Sequence, residues 1–335
     1  MFGFELSFIW AGIIAFAVLT YVVLDGFDLG IGLLFPLTDD EEERSVMMNS
    51  VSPVWDGNET WLVLGGGGLF AVFPLAYAIV MPALYMPIIL MLLALVFRGV
   101  AFEYRWRTER WKPLWDMAFF GGSLTAAMCQ GIALGALVQG IEIEGRAYAG
   151  GWWDWLTPFS VLCGVAVTIG YAMLGATWLN MKLEGRIQRH MHSLAWPFAI
   201  GTVICMGAVS IWTPFLDSVY FSRWFSWPQA AWSAVVPVLL AGAVAGLFFG
   251  LRKKQEVRPF LCAQALFVLG FIGIGISFYP MMVPPSLSIV DAAAPDESLR
   301  FALVGTVVLV PMILIYTAYA YWVFRGKVDP AEGYH

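Results

Sequence analysis

Charge is what this sequence has least of. Asp, Glu, Lys and Arg make up 13% of its 335 residues, against 60% apolar, and there are only 3 histidines. A water-soluble domain of this length could not cover its surface with so few charges, so the chain reads as a multi-pass membrane protein. Paired cysteines are missing too: Cys129, Cys163, Cys205 and Cys262 lie far apart in apolar runs, with no Cys-x-x-Cys and no flanking His. That excludes a disulfide framework and a zinc site and leaves small core residues. No basic residue and no small-residue cleavage pattern precede the first apolar run, so it reads as a retained helix and not a signal peptide. The run Gly65–Gly68 lacks the Lys-Ser/Thr of a phosphate loop and reads as a helix-packing surface. A net charge of −6 with no basic domain offers nothing to nucleic acid. His190 and His192 are read in a basic loop and His335 ends the sequence, so no spanning helix is expected to carry a histidine. A membrane haem with His ligands therefore cannot be built from this chain alone.

What is present is a series of apolar stretches of about 20 residues, the length that crosses a bilayer. Nine are expected, at roughly 7–35, 52–72, 75–102, 115–141, 157–181, 194–215, 230–251, 259–281 and 300–324, joined by short connections in a single polytopic membrane domain over residues 1–335. Loops after odd-numbered spans hold Arg44; Arg105, Arg107, Arg110 and Lys112; Lys182, Arg186 and Arg189; Arg252, Lys253, Lys254 and Arg258; Arg325 and Lys327. Loops after even-numbered spans hold only Arg146, Arg223 and Arg300. The asymmetry predicts a periplasmic N-terminus and a cytoplasmic C-terminus, and tryptophans such as Trp106, Trp111, Trp152 and Trp153 suit the two interfaces. The stretch Tyr279–Pro295 is the longest outer connection and reads as an ordinary structured turn, with Ser298 expected to cap the last span.

Against this background the ionisable groups inside apolar runs stand out, because each costs several kcal/mol unless paired or wetted. Asp25 and Asp28 are three residues apart, so on a helix they share a face. Either they form a proton relay or buried polar site, or they end the helix and pair with a neighbour. Gly26, Gly30 and Gly32 interleave with them at small-xxx-small spacing and predict close helix packing. Asp56 and Asn58 open the second span, and Arg98 and Glu103 close the third. By topology all three clusters fall at one depth, toward the cytoplasm. A buried guanidinium suits bidentate carboxylate pairing; Asp56 is the first expected partner of Arg98 and Glu103 the second, with snorkelling to the interface as the alternative.

Asp25-Gly-Phe-Asp-Leu-Gly-Ile-Gly32, Trp55-Asp-Gly-Asn-Glu59, Phe97-Arg-Gly-Val-Ala-Phe-Glu-Tyr-Arg105, Tyr279-Pro with Val283-Pro-Pro-Ser286, and the ending Pro311 to Lys327 occur in this order along the chain. Together they resemble subunit II of cytochrome bd-type quinol oxidases, and Phe-Arg-Gly with the compact loops leans toward the cyanide-insensitive branch. The resemblance implies an all-α integral membrane fold of nine transmembrane helices, arranged as two four-helix bundles plus one peripheral helix, in the bacterial cytoplasmic membrane. It implies a haem-bearing partner, subunit I, which holds haem b and haem d; some members also have a small accessory subunit. The complex oxidises quinol and reduces dioxygen to water with protons taken from the cytoplasm. Subunit II ligates no haem, touches membrane lipid, and in some members holds a structural quinone. By the same resemblance Asp56 and Arg98 match the family's proton-intake aspartate and its nearby arginine, Asp25 and Asp28 match its first-helix acids, and Asn58 would orient water. Glu103 departs from the Asp of other branches. Two rival readings remain: a proton-coupled secondary transporter, which also needs midplane acids but would show substrate-facing broken helices in both halves, whereas the acids here crowd the first three spans, and a purely structural partner whose acids only lock arginines.

Overall fold

The computed structural model describes residues 5–328 and is almost wholly helical; His335 lies outside the described residues. In chain order the helices are α1 (Leu6–Leu34), α2 (Glu41–Asn49), α3 (Trp55–Val72), α4 (Pro74–Ala83), α5 (Tyr85–Tyr104), α6 (Lys112–Gln139), α7 (Pro158–Lys182), α8 (Gly185–Trp212), α9 (Ser218–Phe225), α10 (Gln229–Ser233), α11 (Val235–Arg252), α12 (Val257–Phe278), α13 (Ile289–Ala292) and α14 (Asp296–Val323). Two small hairpins, β1 (Ile143–Glu144) with β2 (Ala147–Tyr148) and β3 (Met281–Val283) with β4 (Leu287–Ser288), mark one end of the bundle. Arg105, Lys182 and the α11–α12 turn mark the other. These are called the hairpin end and the basic end below.

Among the described residues, eight helical segments are long and apolar enough to cross a membrane. Helix α3 is not one of them by composition, because its first turns are Trp-Asp-Gly-Asn-Glu-Thr. The expected span 75–102 is broken into α4 and α5 at Leu84. Pro87 has no N–H to give to the carbonyl of Ala83, which weakens the helix at that turn and favours the break. A second break falls at Phe73 (φ −129°, ψ 60°), where Pro74 disfavours helical backbone in the residue before it. The sixth span starts earlier than expected: α8 begins at Gly185 and carries His190 and His192 in its first turns, not in a loop. His190 Nε2 lies 2.8 Å from the carbonyl of Leu37.

Helix α1 is the centre of the molecule, and every residue from Asp25 to Leu34 is buried. Its glycines explain why. A Cβ on Gly30 would stand 1.9 Å from the carbonyl oxygen of Tyr171, and one on Gly175 would stand 2.4 Å from the carbonyl carbon of Gly30. Backbone therefore lies on backbone where α1 crosses α7, as the small-residue spacing predicted. On the neighbouring face a Cβ on Gly32 would meet Ser123 Oγ of α6 at 2.1 Å. Of the glycine run, Gly65 and Gly68 face Val18 and Ile14 of α1, whereas Gly66 and Gly67 meet nothing within this chain. Aromatic rings fill the basic half around this crossing: Phe27 stacks on Trp178 at 4.2 Å, Trp178 meets Phe260 edge-on, and Trp55 stacks on Phe102 at 4.6 Å.

The segment between α12 and α14 is well structured. Val283, Leu287 and Ile289 are buried, and Ile141 N–H donates to the carbonyl of Pro284. Ser288, not Ser298, is the capping serine here, accepting from Asp291 N–H at the start of α13. Helix α14 starts at Asp296 behind Pro295 and has no side-chain cap. It lies against the outside of the bundle, with Leu299 its buried residue and Phe301 85% exposed. Apolar exposure of this size suits a lipid or protein surround, not water.

Candidate functional site

The three polar clusters of the sequence converge. Asp25 and Asp28, from α1, are both completely buried, as is Arg98, from α5. Arg98 Nη1 lies 2.5 Å from Glu59 Oε1 and 3.3 Å from Asp25 Oδ1. The partners of Arg98 are thus Asp25 and Glu59 and not Asp56 or Glu103. Helix geometry gives the reason: α3 presents Glu59, one turn beyond Asp56, to α5, and leaves Asp56 exposed at the start of the helix. Glu103 points away and pairs with Arg107 at 3.7 Å. Snorkelling is also excluded, since a guanidinium with no exposed area does not reach an interface.

Asn58 sits between the acids and the peripheral helix. Its Nδ2 donates to Asp28 Oδ2 at 2.7 Å and to the carbonyl of Leu24 at 3.3 Å, while its Oδ1 accepts from the Tyr321 hydroxyl at 3.0 Å. On the hairpin side, one turn before Asp25, Tyr21 accepts from Gln130 Nε2 at 2.7 Å, and Gln130 Oε1 accepts from the Tyr171 hydroxyl at 2.8 Å. Glu59, Tyr21, Gln130, Tyr171 and Tyr321 all escaped the sequence reading. Glu59 had a signal, being three residues past Asp56 and so on its helix face. The tyrosines and Gln130 had none, because their partners are remote in sequence (41 residues for Tyr171 with Gln130, 109 for Gln130 with Tyr21, 263 for Tyr321 with Asn58).

The charge balance of this pocket is uneven. Three carboxyls, Asp25, Asp28 and Glu59, surround one guanidinium. Beyond the 3.3 Å ion pair of Asp25 Oδ1 with Arg98, both oxygens of Asp25, Oδ1 of Asp28, and Nε and Nη2 of Arg98 make no well-formed hydrogen bond to the described protein groups. Buried polar atoms are nearly always satisfied, and in a polar cavity the remaining partner is water. The arrangement can therefore hold water beside carboxyls and accommodate an extra proton on one of them. Asp56 is exposed at the start of α3, Glu59 is half-buried against Arg98, and Arg98, Asp25 and Asp28 lie inside. Among the described residues no group of His, Cys, Asp and Glu is placed to hold a metal ion.

Comparison with known proteins assigns this architecture. Residues 6–324 match the family model for cytochrome bd terminal oxidase subunit II. The chain is 31% identical to the cytochrome bd-I ubiquinol oxidase subunit 2 of Escherichia coli K12, over 98% of this chain and 96% of that one. It is 28% identical to the cytochrome bd ubiquinol oxidase subunit 2 of Bacillus subtilis, over 97% of each. The bd oxidase structure from Geobacillus thermodenitrificans superposes with a TM-score of 0.76 over 96% of this chain and 97% of its own, at 16% identity, which shows a shared fold. By motif order, full-length similarity and fold, the chain belongs to the cytochrome bd oxidase subunit II family and is a membrane-embedded part of a respiratory oxidoreductase complex.

Proposed function

We propose that this subunit conducts protons from the basic end of the bundle to a haem-bearing partner that reduces dioxygen. The observation that carries the reading is the pocket with more acids than bases: three carboxyls around Arg98, with polar atoms left for water and a surface acid, Asp56, at its mouth. In this reading Asp56 collects protons, Glu59 passes them inward, and Asp25 and Asp28 hold them beside Arg98. The excess of basic residues makes the basic end cytoplasmic and the hairpin end periplasmic. Helix α3 then crosses as a ninth span despite its polar opening, since its Asn58 and Glu59 are turned toward neighbouring helices. Haem b and haem d belong to subunit I, and the complex resides in the bacterial cytoplasmic membrane with quinol as reductant. Among the described residues, a structural quinone has a candidate place in an apolar groove of about 570 Å³ walled by Phe16 and Leu19 of α1 and Phe271, Ile272 and Ile276 of α12, with Tyr279 also lining it. It takes an isoprenoid tail and offers the Tyr279 hydroxyl as a polar contact.

The test is oxygen consumption per haem in assembled complexes carrying D25N or D28N. Each is expected to fall at least about tenfold, the scale of losing a positioned proton-transfer group, with haem content retained. Unchanged turnover in both would refute the proton role. A structural role has one observation in its favour: Arg98 ties α1, α3 and α5 together through Asp25 and Glu59. If that were the whole story, the asparagine variants would lose assembly and keep full turnover in whatever complex remained. A solute transporter is disfavoured because the buried acids, Asp25 and Asp28 on α1 and Asp116 on α6, have no counterpart in the second half of the described chain.

A further inference from the structure

Helix α14 is the least embedded long helix, yet it delivers one side chain to the acid pocket. The Tyr321 hydroxyl donates to Asn58 Oδ1 at 3.0 Å, and Asn58 Nδ2 donates to Asp28 Oδ2 at 2.7 Å. A carboxamide has one accepting and one donating edge, and a half-turn about its last bond exchanges them. The Leu24 carbonyl can only accept, so it favours the orientation that aims the N–H edge at Asp28, and the phenol, donating to Oδ1, reinforces it. The reversed amide would set its oxygen against the carboxylate.

A clasp at the last turn of α14 keeps the tyrosine in reach. The Lys182 ammonium at the end of α7 donates to the carbonyls of Phe324 and of Gly326, the latter at 2.9 Å. Val328 N–H returns to the carbonyl of Lys182 at 3.0 Å, and Lys327 Nζ donates to the carbonyl of Leu183 at 3.0 Å. Lys327 also pairs with Glu256 at 2.8 Å. Few packing contacts hold this helix otherwise, so two lysines fix the height at which Tyr321 meets Asn58.

We infer that Tyr321 is a positioning residue: held by the Lys182–Lys327 clasp, it orients the Asn58 amide so that Asp28 always faces a donor. The inference rests on the proton-path reading for its effect on turnover, but not for its structural content.

The test uses the whole complex with Y321F, N58L, the Y321F/N58L double variant and K182M. Turnover and the infrared band of the Asp28 carboxyl, identified by its loss in D28N, are both measured. Y321F is expected to keep its haem, turn over about three- to tenfold more slowly, as the loss of one oriented hydrogen bond implies, and move the Asp28 band. K182M should move the same band in the same direction by less. The double variant should be no slower than N58L, because the phenol acts only through the amide. An unmoved Asp28 band in Y321F, or a further slowing of N58L by the same factor as of the parent, would overturn the inference. Loss of haem in Y321F would overturn it too, since the phenol would then be holding a helix and not an amide. If D28N turns over at full rate the proton path fails, while the band shift still decides the role of Tyr321.

Discussion

Two arginines in this molecule are completely buried, and they are buried in opposite ways. Arg105, at the basic end, gives Nε to Asp116 at 2.5 Å and Nη1 to Ser45 at 2.9 Å, and lies over the rings of Phe35 and Trp106. Arg44 shares the same Asp116 at 3.3 Å. Two bases hold one acid there, and Lys112 beside them hydrogen-bonds Glu41 and keeps its carboxyl below the usual glutamate range. Around Arg98 the ratio is reversed, with three carboxyls to one base and several polar atoms unmatched by protein. Burial of a guanidinium therefore says little by itself. A surplus of bases at a polar end needs no protons, whereas a surplus of carboxyls in the apolar interior calls for protons or water.

The widest separation between the two sites comes from removing each cation. R98M leaves two buried carboxyls and half-buried Glu59 without a counter-charge, a loss on the order of 3–5 kcal/mol for a broken buried pair; haem-containing complex is expected to be nearly absent from purified membranes. R105M still leaves Arg44 on Asp116, so the cost should be about 1–3 kcal/mol. Thermal melting of the complex should register it, while oxygen consumption per haem stays at the parent value. Equal losses of haem-containing complex in the two variants would erase the distinction between the two sites.

Smaller changes sharpen the inner site. E59Q keeps a neutral hydrogen-bonding group near Arg98 and is expected to slow turnover by about three- to tenfold, more than D56N, which alters only the exposed mouth. Steady-state rates with saturating quinol rank the two, and the opposite order would move proton intake away from Glu59. The least effect belongs to the clasp. Lys327, and after it Gln188, holds the Glu256 carboxyl below its ordinary range. That depressed value means the pair stabilises the fold above the ordinary glutamate range and loses its contribution as pH falls through it. Because the pair is substantially exposed, E256Q should cost under about 1 kcal/mol at pH 7 and less at a pH below the ordinary glutamate range. Melting curves at the two pH values give the difference.

Much of the inner site is legible in the sequence because charge in a greasy run is expensive. Asp25, Asp28, Asn58 and Arg98 announce themselves that way, and positive-residue asymmetry brings them to one depth. Pairing is not legible. Asp56 and Glu59 share a helix face, and only the rotation of α3 against α5 decides which of them meets Arg98. The tyrosines are silent for a different reason: Tyr is common near bilayer interfaces, so Tyr21, Tyr171 and Tyr321 look like belt residues until α6 and α14 are packed. Pro87 lies at the α4–α5 break but could not by itself predict it, since Pro197 and Pro311 sit inside continuous helices. The early start of α8 could not be read either, since Gly185, Arg186 and Arg189 look like a loop. Glycine spacing in α1 foretold close packing, but not that Gly175 would be the partner.

The most direct measurement is proton uptake during a single turnover with oxygen, followed by a pH-sensitive dye outside the basic end of reconstituted complexes carrying D25N/D28N. The account predicts that electrons still reach the haems at the parent rate while proton uptake slows at least tenfold, the scale of a lost proton-transfer group. Uptake at the parent rate with both aspartates gone would contradict it.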